Sequence, residues 1–350
     1  MNPVPEASLH RAGFLRRAGA GAAGLSLAQL LGPAHALAGD GGGDFPGHPR
    51  WRFFFVSHDT LDPLLVATQF GAQDAAALVK CSVQWTGSAR GDVKETVQAL
   101  RSAISAKADG IAVSIVDLRA FAAEIEAAAR AKIPLVAFNV DSGLGAFPYV
   151  GENTHASGAR VGAEIARLVP GKQVLLFAPD RAEVSTERRL QGVKAGLAAA
   201  AKAPSATVVR LAAGSLRSQE AAVEAAVAKR PGARGLFAVD GASTLAAGTT
   251  IKRLGLGAKG VHGGGYDLLP GDLDLVADGQ LDFVVDQQPY VQGFTPVVQL
   301  FLARISEGTV VPWDTETSVL LRRPDVQAFL ATKSRFEGSS SRHEFPLRRA

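Results

Sequence analysis

The heptapeptide Leu135-Val136-Ala137-Phe138-Asn139-Val140-Asp141 is apolar until it stops abruptly in hydrogen-bonding side chains. It follows Ile133-Pro134, and a short continuous apolar run of this kind predicts a strand buried on both faces, as in a parallel sheet. Polar groups at its carboxyl end would then sit in the crevice where open α/β sheets bind ligands. The design recurs at Leu236-Phe237-Ala238-Val239-Asp240, at Val261 through Asp267 and at Phe283-Val284-Val285-Asp286-Gln287. Strands that each run out into a carboxylate or an amide predict one shared polar pocket.

Outward from this run, strands and helices alternate. Before it come strands at Trp51–Ser57, Ser82–Thr86 and Gly110–Val116, separated by helices that open at Asp62-Pro63, at about Asp92 and after Asp117. An aspartate ahead of a proline is a strong helix start, because the carboxylate accepts from first-turn N–H groups and proline has none to leave unpaired. After a short strand at Tyr149-Val150 the pattern restarts. Helices are expected at Thr154–Leu168, Glu187–Ala201, Gln219–Lys229, Ser243–Leu254, shortly after Pro270 and at Gln292–Glu307, with a last strand near Thr317–Leu321. Such an order predicts an α/β protein with two doubly wound parallel-sheet lobes and right-handed crossovers.

At 350 residues the chain is long enough for two cores, and 47% apolar with 20% charged residues is ordinary globular composition. The net charge of +4 belongs to the ends: residues 1–38 carry +2 and residues 332–350 carry +3, leaving −1 for the body. That distribution argues against a nucleic-acid partner. Arg11, Arg16 and Arg17 precede an apolar small-residue run from Ala18 to Leu31, and Ala36-Leu37-Ala38 follows. This is the order of an export signal, similar to a degenerate twin-arginine signal, with cleavage expected after Ala38 and a periplasmic destination. Residues 39–50 read as a Gly/Asp/Pro-rich linker, and residues 332–350 as a disordered tail.

Little points to catalysis. Gly19-Ala20-Gly21-Ala22-Ala23-Gly24 fits a dinucleotide fingerprint by letter but lies in the leader with no strand before it. Gly241-Ala242-Ser243-Thr244-Leu245 fails the nucleophile-elbow pattern. The histidines are scattered, and Asp59 with Asp62 lacks the glycine and distal glutamate of a calcium loop, so neither a metal nor a cofactor is expected. The single cysteine, Cys81, sits between Val79 and Val83 as a small hydrophobe would.

Taken in order, Asp62-Pro63, Phe138-Asn139-Val140-Asp141, Arg189-Leu190-Gln191-Gly192, Phe237-Ala238-Val239-Asp240, Gly264-Gly265-Tyr266-Asp267 and Asp286-Gln287-Gln288-Pro289 resemble a type 1 periplasmic binding protein of the ribose-binding class. The resemblance spans about Trp51 to Pro324. It implies a three-segment hinge near Tyr149–Glu152, Gln287–Pro289 and Trp313–Asp314. The N-terminal lobe would then be 51–151 with 288–313, and the C-terminal lobe 152–287 with 314–331. It also implies sugar contacts from Asp62, Asn139, Asp141, Arg189, Asp240, Asp267 and Gln287. The family's aromatic pair after the first Pro is Leu64-Leu65 here, so Phe138, Trp85 or Tyr266 would have to supply a stacking face. His58 is a further candidate contact, at the end of the first strand. Alternatives remain open at several positions: Asp240 can cap the helix near Ser243, and Glu183 and Glu187 can pair with Arg189.

The resemblance implies a non-enzymatic, monomeric substrate-binding component of an ABC transporter. It would capture a small neutral carbohydrate, a monosaccharide or sugar alcohol, and hand it to an inner-membrane permease, with a chemoreceptor as a further partner. Two other readings fit parts of the chain: an exported sugar-active oxidoreductase, for which the body lacks a nucleotide loop, and a periplasmic ligand sensor.

Overall fold

The computed structural model describes residues 47–62, 64–140, 148–181, 183–269 and 271–332. The expected leader with its Ala38 cleavage point, most of the linker, Pro63, Asp141 and the basic tail lie outside the described residues. The opening heptapeptide supplies β4 (Leu135–Phe138), whose last three residues are buried. Its sheet also holds β1 (Arg52–Ser57), β2 (Ser82–Gly87), β3 (Gly110–Val113), β5 (Tyr149–Gly151) and β11 (Thr315–Glu316), in the order β11-β5-β4-β3-β1-β2. Every pairing in it is parallel.

The second sheet repeats the plan. It holds β6 (Gln173–Pro179), β7 (Ser205–Leu211), β8 (Gly235–Ala238), β9 (His262–Tyr266), β10 (Phe283–Asp286) and β12 (Val319–Arg322), in the order β12-β10-β9-β8-β6-β7. Only β12 runs antiparallel to its neighbour. The helices are α1 (Leu65–Leu78), α2 (Val93–Ser105), α3 (Leu118–Arg130), α4 (Thr154–Leu168), α5 (Val184–Ala198), α6 (Leu216–Lys229), α7 (Gly241–Leu254), α8 (Asp272–Ala277), α9 (Pro289–Ile305) and α10 (Arg323–Thr332). Two doubly wound lobes are therefore present, as the alternation predicts. No helix among the described residues is long and apolar enough to cross a membrane.

Local chemistry explains the boundaries. Asp92, Asp117, Asn153 and Asp240 each accept a first-turn N–H at 2.9–3.1 Å, which satisfies donors that a helix start leaves open. Asp62 differs from expectation. Its carboxylate accepts from Leu64 N at 2.9 Å and its carbonyl from Leu65 N at 3.0 Å, so it forms a turn and α1 starts only at Leu65. The strand expected near Thr317–Leu321 begins only at Val319 and pairs with β10, while Thr315–Glu316 before it pairs with β5. The chain thus changes sheets for the third time between Glu316 and Val319, later than Trp313–Asp314. The other changes fall at Glu152-Asn153 and Gln287-Gln288. The helix α10 follows β12 directly, where the sequence reading ended at a strand.

Within the second lobe, α4 and α5 pack glycine against glycine. A Cβ on Gly192 would stand 2.2 Å from the His155 carbonyl oxygen, and one on Gly162 2.2 Å from that of Val193. Gly158 and Gly196 are equally closed, so both helices carry glycines four apart on the facing side. Backbones that approach this closely fix α5, and with it Arg189. Replacing Gly192 with Ala is expected to cost about 1–3 kcal/mol of stability in urea denaturation, the usual range for overpacking. An unchanged midpoint would show that the helices separate without cost.

Candidate functional site

The carboxyl ends of β8, β9 and β10 lie side by side and carry Asp240, Asp267 and Gln287. Asp267 stands in the left-handed region, with φ +70°, immediately after β9. A non-glycine residue there is uncommon and is held by its surroundings. Gln287 Nε2 donates to Asp267 Oδ1, and the Gly241 N–H donates to the same carboxylate. Gly241 opens α7, and a Cβ on it would lie 2.9 Å from Asp267 Oδ2. Two carboxylates therefore share one helix N-terminus, where the helix dipole favours negative charge. Asp240 caps α7 through Oδ1, which accepts from Ser243 N at 3.0 Å. Its other oxygen, Oδ2, is buried and makes no hydrogen bond to any described residue. Capping and ligand contact are thus compatible uses of this one side chain. Burial raises the pKa values of both aspartates; hydrogen bonds and the Arg189 charge offset part of that rise.

Arg189 lies on α5 and is 5% exposed. Its partner is neither Glu183 nor Glu187. Nε donates to Glu152 Oε2 at 2.9 Å, Nη2 donates to the same oxygen, and Nη1 donates to the Val239 carbonyl at 3.3 Å. Glu187 instead pairs with Arg210. The Arg189 guanidinium sits 4.5 Å from the centroid of the Tyr266 ring. Burial disfavours the charged form, but the Glu152 and Asp267 charges outweigh that effect, so Arg189 remains protonated. Most of its donors are committed within the protein. Tyr266 is fully buried, with its hydroxyl 3.1 Å from Ser157 Oγ, and offers the cleft no stacking face.

The first lobe contributes His58, Asp62, Trp85 and Asn139 at the carboxyl ends of β1, β2 and β4 or just beyond them. His58 Nδ1 lies 2.8 Å from Ser114 Oγ, and burial lowers its pKa. Asn139 occupies the left-handed region, with φ +64°. It follows the strand that corresponds in sheet order to β9, so Asn139 and Asp267 hold matching places in the two lobes. Its Nδ2 donates to Gln292 Oε1 at 3.0 Å. Trp85 stacks on Phe55, with centroids 5.6 Å apart, and its buried Nε1 has no hydrogen-bond partner among the described residues. Phe138, expected as a stacking face, is fully buried in the core beside Phe55. A strand buried on both faces gives no alternation from which its cleft-facing residues could be read.

Asp62 ties the halves together. Its carboxyl is pushed up to about 6, first by burial and then by the charges of Asp267, Asp59 and Glu183, two of which belong to the second lobe. Carboxylates from distant parts of the sequence therefore lie within electrostatic reach of one another. Among the described residues no group of three or more His, Cys, Asp or Glu side chains is placed to hold a metal ion.

The profile of the periplasmic binding protein domain matches residues 53–304. The chain belongs to that family. It is similar to a xylose/arabinose-binding protein of Sulfolobus acidocaldarius, 36% identical over 320 residues that cover 86% of this chain and 78% of the relative. Among solved structures it is similar to the sugar-binding protein of a sugar ABC transporter from Bacillus halodurans, at TM-score 0.70 and 22% identity, covering 79% of this chain and 99% of that one. A solute-binding protein of Burkholderia graminis in complex with D-arabinose gives TM-score 0.70 and 23% identity, covering 81% and 99%. At these identities the structural matches establish the fold.

Glu152, expected only at a chain crossing, is the partner of Arg189, and Glu183, expected as a partner of Arg189, instead acts on Asp62 through its charge. Glu152 follows Tyr149-Val150-Gly151 directly, so the pattern that marked Asp240 and Asp267, a polar residue closing a buried strand, also marks it. Removing Glu152 as Ala would leave Arg189 buried and unpaired, and should cost about 3–5 kcal/mol in urea denaturation. A loss below about 1 kcal/mol would mean that the guanidinium finds water or another partner.

Asp62 gives a pH signature. Its folded pKa lies above the unfolded value, so its contribution favours the fold at low pH and is lost as pH rises from about 4 through about 6. Asp62→Asn keeps an acceptor for Leu64 N but cannot ionise. The variant should match the parent near pH 4 and exceed its stability above about pH 6, by on the order of 2 kcal/mol. Parallel stability curves across that window would refute the burial of this carboxyl.

Proposed function

We propose that the protein is the extracytoplasmic substrate-binding component of an ABC transporter. On this reading it captures a small neutral carbohydrate, a pentose in the first instance, and delivers it to a membrane permease. The observation that carries the proposal is the meeting of hydrogen-bonding groups from both lobes, with Asp62 from one within electrostatic reach of Asp267 and Glu183 from the other. The 36% identical relative whose printed name specifies xylose and arabinose supports the choice of pentose.

The chemistry fits a polyol. A sugar in water is already well hydrated, so a binding site must offer preformed partners rather than bulk apolar surface. Carboxylates accept from hydroxyls, and each charge-assisted bond contributes roughly 1.5–3 kcal/mol net. A few such bonds, less the ordering costs, reach the roughly −8 kcal/mol of micromolar affinity. Asp240 Oδ2 and Trp85 Nε1 are a buried acceptor and a buried donor that a ligand hydroxyl would satisfy. Closure about the three chain crossings would bring the lobes onto the sugar, and a permease that recognises the closed form would then read occupancy as a population shift. A binding role is favoured over an enzymatic one because Asp62, Asp240, Asp267 and Glu152 each have a turn, capping, hydrogen-bonding or bridging use that needs no leaving group.

Titration calorimetry on the mature chain with D-xylose, L-arabinose, D-ribose and myo-inositol tests this. At least one pentose should bind with a micromolar or tighter dissociation constant. Asp267→Ala should weaken that binding more than about tenfold without loss of the folded baseline. Absence of binding by all four sugars, or equal binding by the variant, would contradict the proposal.

A further inference from the structure

Gln292, the fourth residue of α9, is fully buried and touches both lobes. Its Oε1 accepts from Asn139 Nδ2 at 3.0 Å. Its Nε2 donates to the Gln287 carbonyl at 2.8 Å and approaches Thr317 Oγ1 at 3.2 Å. Gln287 and Thr317 stand at the second and third chain crossings. The orientation of this amide is dictated by its partners. Thr317 Oγ1 donates its one proton to the Gln287 carbonyl at 2.7 Å, so it can only accept from Gln292. A backbone carbonyl can only accept as well. The amino end of Gln292 must therefore face the crossings, and its carbonyl end must face Asn139.

That constraint passes to Asn139. With Oε1 of Gln292 opposite it, Asn139 must turn its Nδ2 inward, which leaves Oδ1 as its free end. The Asn139 carbonyl oxygen is itself fixed, because it accepts from the Tyr149 hydroxyl at 2.8 Å, and that hydroxyl also lies 3.2 Å from the Glu152 carbonyl at the first crossing. On the proposed function, we infer that Gln292 is a positioning residue: it sets the Asn139 amide so that the first lobe offers the sugar an acceptor, and it ties that choice to the crossings between lobes. Asn139 Oδ1 then joins Asp62, Asp240 and Asp267, so the site is an array of acceptors that selects ligands by their hydroxyl donors.

A double-mutant cycle tests this by calorimetry with the pentose that the parent binds most tightly. Gln292→Met removes the amide at similar volume and should weaken binding about tenfold in the parent, but change it less than about twofold in an Asn139→Ala background. A residue that only supports packing would cost the same in both backgrounds. Gln292→Glu provides an independent arm, since an ionised carboxylate can accept from Asn139 but cannot donate to Gln287 or Thr317. Its affinity relative to the parent should recover as pH falls and the side chain regains a proton to donate. Equal losses in both backgrounds, or a flat relative pH profile, overturn the inference. Failure of the parent to bind any pentose overturns the functional reading and this inference with it, whereas tight binding by the parent and by both Gln292 variants overturns this one alone.

Discussion

A guanidinium with almost no access to water holds the second half of the site together. The side chains of Arg189 and Glu152 are 6% and 0% exposed, and each is tolerable at that depth only because of the other. Glu152 belongs to the first chain crossing and Arg189 to α5, so one ion pair ties that helix to the crossing. The glycine seam between α4 and α5 makes this possible, because it brings α5 close enough to the crossing for the pair to form. Around the pair, Asp240 and Asp267 occupy the positive end of α7, and the Arg189 charge offsets part of their mutual repulsion.

The excess of acceptors gives the cleft its character. Asp62, Glu183, Asp240 and Asp267 interact electrostatically, while the Arg189 guanidinium is largely committed to Glu152. Burial raises the pKa of Asp62, Asp240 and Asp267 alike. The matching left-handed residues Asn139 and Asp267, one at the end of each lobe's fourth strand, show the same solution reached in both halves: a strained backbone that aims a polar side chain beyond the sheet. The hydrogen bonds through Gln292, Thr317 and Gln287 join those two ends across the crossings.

Much of this was legible in the sequence because it is local. Apolar runs closed by Asp240, Asp267 and Gln287 announced the parallel strands, and a helix cap such as Asp117 announced a helix start. What escaped depends on pairing across long separations. Arg189 finds Glu152 rather than the nearer Glu183 or Glu187, and the Gln292 amide meets Asn139, far from it in the chain. A doubly buried strand such as the one that carries Phe138 hides which of its side chains faces outward, and the third crossing can be located only once the sheet partners of Thr315–Glu316 and Val319–Arg322 are known.

The central claim is that one small polyol sits between the lobes and is held by both. A crystal structure of the protein with its pentose tests this most directly. The account predicts ring hydroxyls within hydrogen-bond distance of Asp240 Oδ2 on one side and of Asp62 or Asn139 on the other. A sugar lodged on an outer face, or touching the side chains of one lobe alone, would contradict it.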